Sequence, residues 1–131
     1  MPPLVHVVDD DPDVLRGLTR ALMSAGFHVV SSSSAVEFFD KFSINTPGCV
    51  VLDLVMPGKG GADIEAELAR GAYSPPLVVI SGAPDVPSAT RTTKDFRVGF
   101  LAKPIDLDEL VAAVEKAIAR DAEAREHLRV L

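Results

Sequence analysis

Four short apolar runs in this chain each lead to polar groups that can handle phosphate or a hard cation. Val5–Val8 precedes Asp9, Asp10 and Asp11, and Cys49–Leu52 precedes Asp53. Leu77–Ile80 precedes Ser81, and Val98–Leu101 leads to Lys103-Pro104. Carboxylates, a hydroxyl and an amine in this order fit a pocket in which an aspartate accepts a phosphoryl group. Gathering the acids has a cost: two unit charges ~4 Å apart repel by ~4 kcal/mol at an effective dielectric near 20. Three unpaired carboxylates at one rim therefore call for a cation.

The elements that must bring these groups together are legible around them. Short β-branched runs bounded by turn residues read as buried parallel strands, and open α/β sheets bind ligands beyond the carboxyl ends of such strands. Helical patterns alternate with the runs. The first helix begins with Asp11 as N-cap and Pro12 at the first helical position. It carries an apolar stripe of Val14, Leu15, Leu18, Leu22 and Ala25, and Gly26 ends it. Phe27–Val30 follows as the second strand. Ser34 and Glu37 form a capping-box pattern for the second helix, with Phe38, Phe39 and Phe42 facing inward.

Pro47-Gly48 turns the chain into the third strand, and a glycine-rich loop, residues 54–61, follows Asp53. A third helix carries Ile64, Leu68 and Ala69 and closes at Gly71, and Pro75-Pro76 leads into strand four. Residues 83–97 are rich in threonine and lack an apolar stripe, which predicts a short, irregular fourth helix. The fifth helix starts at Asp106, with Glu109 at the matching capping position. Its apolar face is Leu107, Leu110, Val111, Val114, Ala117 and Ile118, and the charged segment Arg120–Arg129 is expected to continue it into solvent. The alternation predicts an α/β fold: a five-stranded parallel sheet with helices on both faces. Residues 1–119 form one domain, and 120–131 a helical tail or the start of a linker.

The totals agree with one domain of ordinary size: 131 residues, 47% hydrophobic and 24% charged. A formal net charge of −6 argues against direct nucleic-acid binding, which needs clustered Lys and Arg. No apolar stretch reaches the ~18 residues of a membrane span, and no signal sequence opens the chain, so a cytoplasmic location is expected. The lone Cys49 reads as a buried thiol, since no second cysteine or basic neighbour marks it for redox work. His6 and His28 read as partly buried structural residues and His127 as exposed. The three are not spaced as metal ligands.

The segments VVDDDP at 7–12, LDLVMPG at 52–58, VVISG at 78–82 and FLAKP at 100–104 together resemble the receiver domain of bacterial two-component response regulators. DDDPDV, PGCVVLD and GAPDVP are most similar to receivers of FixJ-type transcription regulators. The resemblance covers residues 4 to about 119. It implies a flavodoxin-like, doubly wound (βα)5 fold with strand order 2-1-3-4-5. It also implies that Asp53 accepts a phosphoryl group from a sensor histidine kinase. Asp10, Asp53 and the backbone carbonyl of Val55 would ligate Mg²⁺, for which Mn²⁺ could substitute, with Asp9 assisting through water. Mg²⁺ suits such a site because it prefers oxygen ligands and keeps waters beside one or two carboxylates. Lys103 would contact the phosphoryl group, with a cis bond to Pro104. Ser81 would be the switch hydroxyl and Phe100 the switch aromatic, acting on an output surface of helix four, strand five and helix five.

Turning a switch from 1:99 to 99:1 takes ~5.5 kcal/mol, and one charge-assisted hydrogen bond supplies only ~1.5–3 kcal/mol. Lys103 pairing, and a homodimer formed on phosphorylation, are the expected sources of the remainder. Val55 and Ala83 lie two residues past Asp53 and Ser81. Both are apolar and cannot orient an attacking water, which predicts self-dephosphorylation over minutes or longer, not true enzymatic turnover. FixJ-type regulators carry a DNA-binding output domain after the receiver, and the charged tail favours a fragment of such a regulator over a free-standing receiver.

Two rival readings stay open. Asp9 and Asp11 have the Asp-x-Asp spacing of haloacid-dehalogenase-type phosphohydrolases. Alternatively, a receiver-like fold could serve as an interaction module without being phosphorylated. For Asp11 alone, the plain reading is a helix cap.

Overall fold

A computed structural model of the chain describes residues 2–56, 60–82 and 97–129. Five strands form one sheet: β1 (Leu4–Val8), β2 (His28–Ser32), β3 (Gly48–Asp53), β4 (Leu77–Ser81) and β5 (Arg97–Ala102). The helices are α1 (Pro12–Ser24), α2 (Ala35–Lys41), α3 (Gly61–Ala69) and α4 (Leu107–Arg129), the last being the fourth helix among the described residues. The irregular helix expected over 83–97 lies outside them, apart from Arg97, which opens β5.

The sheet order is β2-β1-β3-β4-β5, and every pairing is parallel. The expected architecture is therefore the observed one. β3 and β4 are buried along their whole lengths, as unbroken apolar runs require of strands covered on both faces. One core cluster, including Val5, Val7, Leu18, Leu22, Val51, Ile80, Leu110 and Val114, joins the sheet to α1 and α4. The other, including Val8, Phe38, Leu52, Ile64, Leu68 and Val79, joins it to α2 and α3. Burying one such aliphatic side chain contributes about 1.5–3 kcal/mol, so alternate residues of each strand commit its two faces to different helix layers. The order in which the strands are added reverses between β1 and β3, and the loops after those two parallel strands open at the same rim.

Capping explains where the helices start. Asp11 Oδ1 accepts from the N–H groups of Asp13 (2.9 Å) and Val14 (3.3 Å). Ser34 Oγ accepts from Glu37 N (3.1 Å), while the Glu37 carboxylate turns to Ser33 Oγ and Lys41 Nζ. Asp106 Oδ1 accepts from Asp108 N (2.9 Å) and Glu109 N (3.1 Å). Gly26, with φ +98°, follows α1 in the left-handed conformation that glycine adopts without penalty.

Some expectations need correction. Ala25 is exposed because it is the C-cap of α1 and not part of its stripe. Ala69 is exposed on α3, and Glu65 takes the buried position there. Leu107 is exposed because it sits in the first turn of α4, above the core. His28 is exposed, since it opens the edge strand β2. The segment after Ile118 is not simply solvated: α4 continues to Arg129 with Asp121 buried in it.

Candidate functional site

The carboxyl ends of β1, β3, β4 and β5 bring Asp9, Asp53, Ser81 and Lys103 to one rim. Backbone hydrogen bonds extend the ladders just past the strand ends. Asp9 N donates to Ser32 O (3.2 Å), Leu54 N to Ile80 O (3.1 Å) and Lys103 N to Ser81 O (2.9 Å). The functional positions are thus fixed by the sheet and not left to free loops.

Asp53 is buried, at 2% exposure. Its Oδ1 accepts from Val55 N (3.0 Å) and its Oδ2 from Lys103 Nζ (3.1 Å). Asp9 is fully buried and accepts from Asp11 N through Oδ1 (2.9 Å). Lys103 Nζ also lies 3.0 Å from Asp9 Oδ2, a charge contact and not an aligned hydrogen bond. The ammonium therefore bridges the two buried acids. Asp10 is exposed at the mouth of the site. Asp9, Asp10 and Asp53 each offer a carboxylate oxygen, and these oxygens lie within 4.8 Å of one another. An all-oxygen set of this size, with one member exposed to retain water, fits a hard divalent ion such as Mg²⁺.

The electrostatics follow from burial. Burial pushes the Asp53 carboxyl above the usual carboxylate range; the Val55 N–H and Lys103 oppose this, and Asp9 adds to it. Burial also works against the Lys103 ammonium, but its contacts with Asp9 and Asp53 outweigh that and leave its pKa above the ordinary lysine value. Both groups thus shift upward. For Asp53 desolvation wins, and for Lys103 two nearby anions win. The net result is a site short of positive charge.

The backbone around Asp53 leaves no slack. A Cβ on Gly61, at the start of α3, would lie 1.9 Å from Asp53 O, and one on Gly60 would lie 2.8 Å from Met56 O. The glycine pair lets α3 seat directly against the end of β3 at Asp53. Gly60 N donates to Asp63 Oδ2 (3.0 Å), which fixes the start of that helix. Val55 is 60% exposed. Ser81 is buried at the carboxyl end of β4, and Phe100 on β5 packs against the core cluster of α2 and α3. The Lys103-Pro104 peptide is cis. Pro57–Lys59 and Ala83 lie outside the described residues.

Sequence reasoning singled out the rim but missed other buried polar groups. Glu65 on α3 and Arg97 on β5 form a two-pronged ion pair, with both side chains 5% exposed. Asp121 on α4 gathers partners at the opposite rim. These residues read as ordinary helix-surface and strand-end charges, and their partners are distant in sequence. His6 is buried, edge-on to Phe38 and Phe42. Burial, with Lys41 nearby, lowers its pKa and favours the neutral imidazole. Cys49 is buried and its thiol is pushed up to about 12 by burial and by Asp121, which makes it a poor nucleophile. A groove of about 620 Å³ lined by Phe39, Phe42, Tyr73, Arg125 and Leu128 lies at the amino-terminal rim, away from the acids.

Comparison with known proteins places this geometry among relatives. The response regulator receiver domain family matches residues 5–115. Nodulation protein W of Bradyrhizobium diazoefficiens is 38% identical over 128 residues, 98% of this chain and 56% of that protein. Transcriptional regulatory protein FixJ of Azorhizobium caulinodans is 40% identical over 120 residues, 91% of this chain and 56% of that protein. The chain thus spans about half the length of these curated relatives. Among solved structures, the response regulator StyR superposes with a TM-score of 0.92 at 35% identity, covering 99% of this chain and 66% of that one. FixJ-N superposes with a TM-score of 0.78 at 32% identity, covering 91% and 95%.

Proposed function

The chain belongs to the response regulator receiver domain family, and on that premise we propose that it is a cytoplasmic switch in which Asp53 takes a phosphoryl group from a sensor histidine kinase. Receiver domains are signalling domains that interact with sensor kinases. The observation that most supports the specific reading is the placement of Lys103 Nζ, 3.0 Å from Asp9 and 3.1 Å from Asp53, beside a third carboxylate from Asp10.

In this reading the phosphorus–nitrogen bond of the donor breaks and a phosphorus–oxygen bond forms at the Asp53 carboxylate. The Val55 N–H fixes the carboxylate's orientation by holding Oδ1. Mg²⁺, held by Asp10, Asp53 and the Val55 carbonyl with Asp9 alongside, would offset the negative charge that the incoming phosphoryl group adds to the acids. Lys103, as a flexible point charge, can follow a phosphoryl oxygen. Ser81 then donates its hydroxyl to another oxygen, and Phe100 moves with it. The output surface in this reading includes β5 and α4; the helix expected over 83–97, which would complete it, lies outside the described residues apart from Arg97. The name of the relative FixJ, a transcriptional regulatory protein of which this chain covers 56%, supports an output in gene control; a further output domain and dimerisation on phosphorylation belong to the same proposal.

The haloacid-dehalogenase alternative needs Asp11 as a second catalytic acid. Asp11 is exposed and committed to capping α1, which disfavours that reading.

The test is incubation with a small phosphodonor and Mg²⁺ followed by intact mass measurement. The expected result is a gain of one phosphoryl group that requires the divalent ion and disappears in Asp53→Asn. No gain would favour the unphosphorylated interaction module. Continuous phosphate release with no retained label would favour a phosphohydrolase.

A further inference from the structure

At the amino-terminal rim of the sheet, opposite the acid cluster, three segments converge on one buried carboxylate. Asp121 is 1% exposed. Its Oδ2 accepts from Gly48 N (2.8 Å) and from Arg125 Nε (2.8 Å). Its Oδ1 accepts from Tyr73 Oη (2.6 Å). Arg125 also donates to Thr46 O (3.2 Å), and its guanidinium carbon lies 5.1 Å from the Tyr73 ring centroid. Gly48 has φ +144°, and a Cβ there would lie 1.8 Å from Leu4 O. The first residue of β3 therefore adopts a conformation that L side chains rarely do, and in that conformation its N–H meets α4.

A helix on its way out into solvent has no reason to bury a carboxylate. Taking a charge out of water is costly unless the charge is paired and hydrogen-bonded, and an Asp–Arg pair spaced i,i+4 on an exposed face contributes only a few tenths of a kcal/mol. Here two of the three donors come from outside the helix, one from the start of β3 and one from the turn between α3 and β4. We propose that Asp121 is a latch that makes residues 120–129 a rigid part of the domain, so that α4 leaves the sheet in a direction set by β3 and Tyr73 and not by a hinge after residue 119. The boundary expected at 119 would then lie beyond 129. The latch holds the first residue of the strand whose last residue is Asp53, so the acceptor and the far half of α4 share one buried strand. The latch does not depend on phosphorylation.

The test is amide hydrogen exchange on the full chain, comparing the unsubstituted protein with Asp121→Ala, Tyr73→Phe and Arg125→Gln. In the unsubstituted protein, amides of 120–128 should be protected to a degree similar to those of 111–118. Losing the partner of buried donors should speed exchange in 120–128 by roughly ten- to a hundredfold in Asp121→Ala, with little change in 111–118. Tyr73→Phe should produce a smaller change in the same segment. The latch is overturned if the distal amides of the unsubstituted chain already exchange as an open helix end, or if Asp121→Ala leaves them as protected as before. Should Asp121→Ala fail to fold, Tyr73→Phe and Arg125→Gln decide: faster distal exchange upholds the latch, and unchanged exchange in both overturns it.

Discussion

Lys103→Met should unbalance the acid cluster in a way that can be measured without any phosphodonor. The ammonium sits 3.0 Å from Asp9 Oδ2 and 3.1 Å from Asp53 Oδ2. The carboxylate oxygens of the cluster lie within 4.8 Å of one another, and two unit charges at that separation repel by roughly 3.5 kcal/mol at an effective dielectric near 20. Removing one partner of a buried pair typically costs about 3–5 kcal/mol. The Lys103 side chain keeps 24% exposure, so water replaces part of what is lost, and the expected cost at neutral pH without metal is about 2–3 kcal/mol.

Methionine retains most of the apolar stem, so the loss reports charge more than packing. The assay is urea denaturation in EDTA, repeated with Mg²⁺ and at lower pH. Mg²⁺ should stabilise the variant more than the parent. Acidification should also narrow the gap. Asp53 is already held above the ordinary carboxylate range, chiefly by burial, and loss of Lys103 removes an opposing influence. A carboxyl whose folded pKa exceeds its unfolded one costs stability as pH rises through that window, and the cost vanishes below it. Equal midpoints for variant and parent at neutral pH without metal would refute the reasoning, as would a deficit indifferent to both Mg²⁺ and acid.

Other expectations follow from the same geometry. Asp53→Asn should raise the urea midpoint of the metal-free chain at neutral pH, because it relieves a charge that burial chiefly, and Asp9 in addition, disfavours; a lower midpoint would contradict this. In the parent, the stability from Lys103 should be fully present below the ordinary lysine pKa. It should be lost as pH rises through the raised folded value, an alkaline decline in urea midpoint that Lys103→Met should lack. Gly61→Ala should cost at least about 1–3 kcal/mol as an overpacked contact and reduce phosphoryl incorporation, since its Cβ would lie 1.9 Å from Asp53 O. Phe38→Ala, at a fully buried ring, should cost about 3–5 kcal/mol in thermal or urea unfolding. Phosphoryl-Asp53 should persist for minutes or longer in a phosphate-release assay, because the exposed side chain of Val55 cannot orient water; loss within seconds would exclude this.

The sheet and its acid rim were legible because both depend on short-range signals. Strand runs buried on two faces are apolar throughout, and helix starts are marked by Asp11, Ser34 and Asp106, whose side chains cap as their spacing implies. The misses come from long-range or positional effects. Glu65 looks like a solvated helix residue until Arg97 arrives from another strand. Asp121 and Arg125 look like a surface pair until Gly48 and Tyr73 close over the carboxylate. His28 has strand-like neighbours, but strand position in the sheet decides exposure, and β2 is at an edge. The bridging of Asp9 and Asp53 by Lys103 depends on a strand order that the residues alone did not disclose; a family resemblance supplied it.

The tie from Lys103 N to Ser81 O gears two side chains that chemistry would otherwise treat as separate. Each projects from a backbone bonded to the other, one strand over. A pull on the hydroxyl-bearing strand end drags the amine-bearing loop, and a shift of the loop tugs the strand end back. Leu54 N, bonded to Ile80 O, adds the loop after Asp53 to the same train. Displacement at any one of the three would therefore propagate sideways through the lip of the sheet, and fluctuations there should be correlated and not independent.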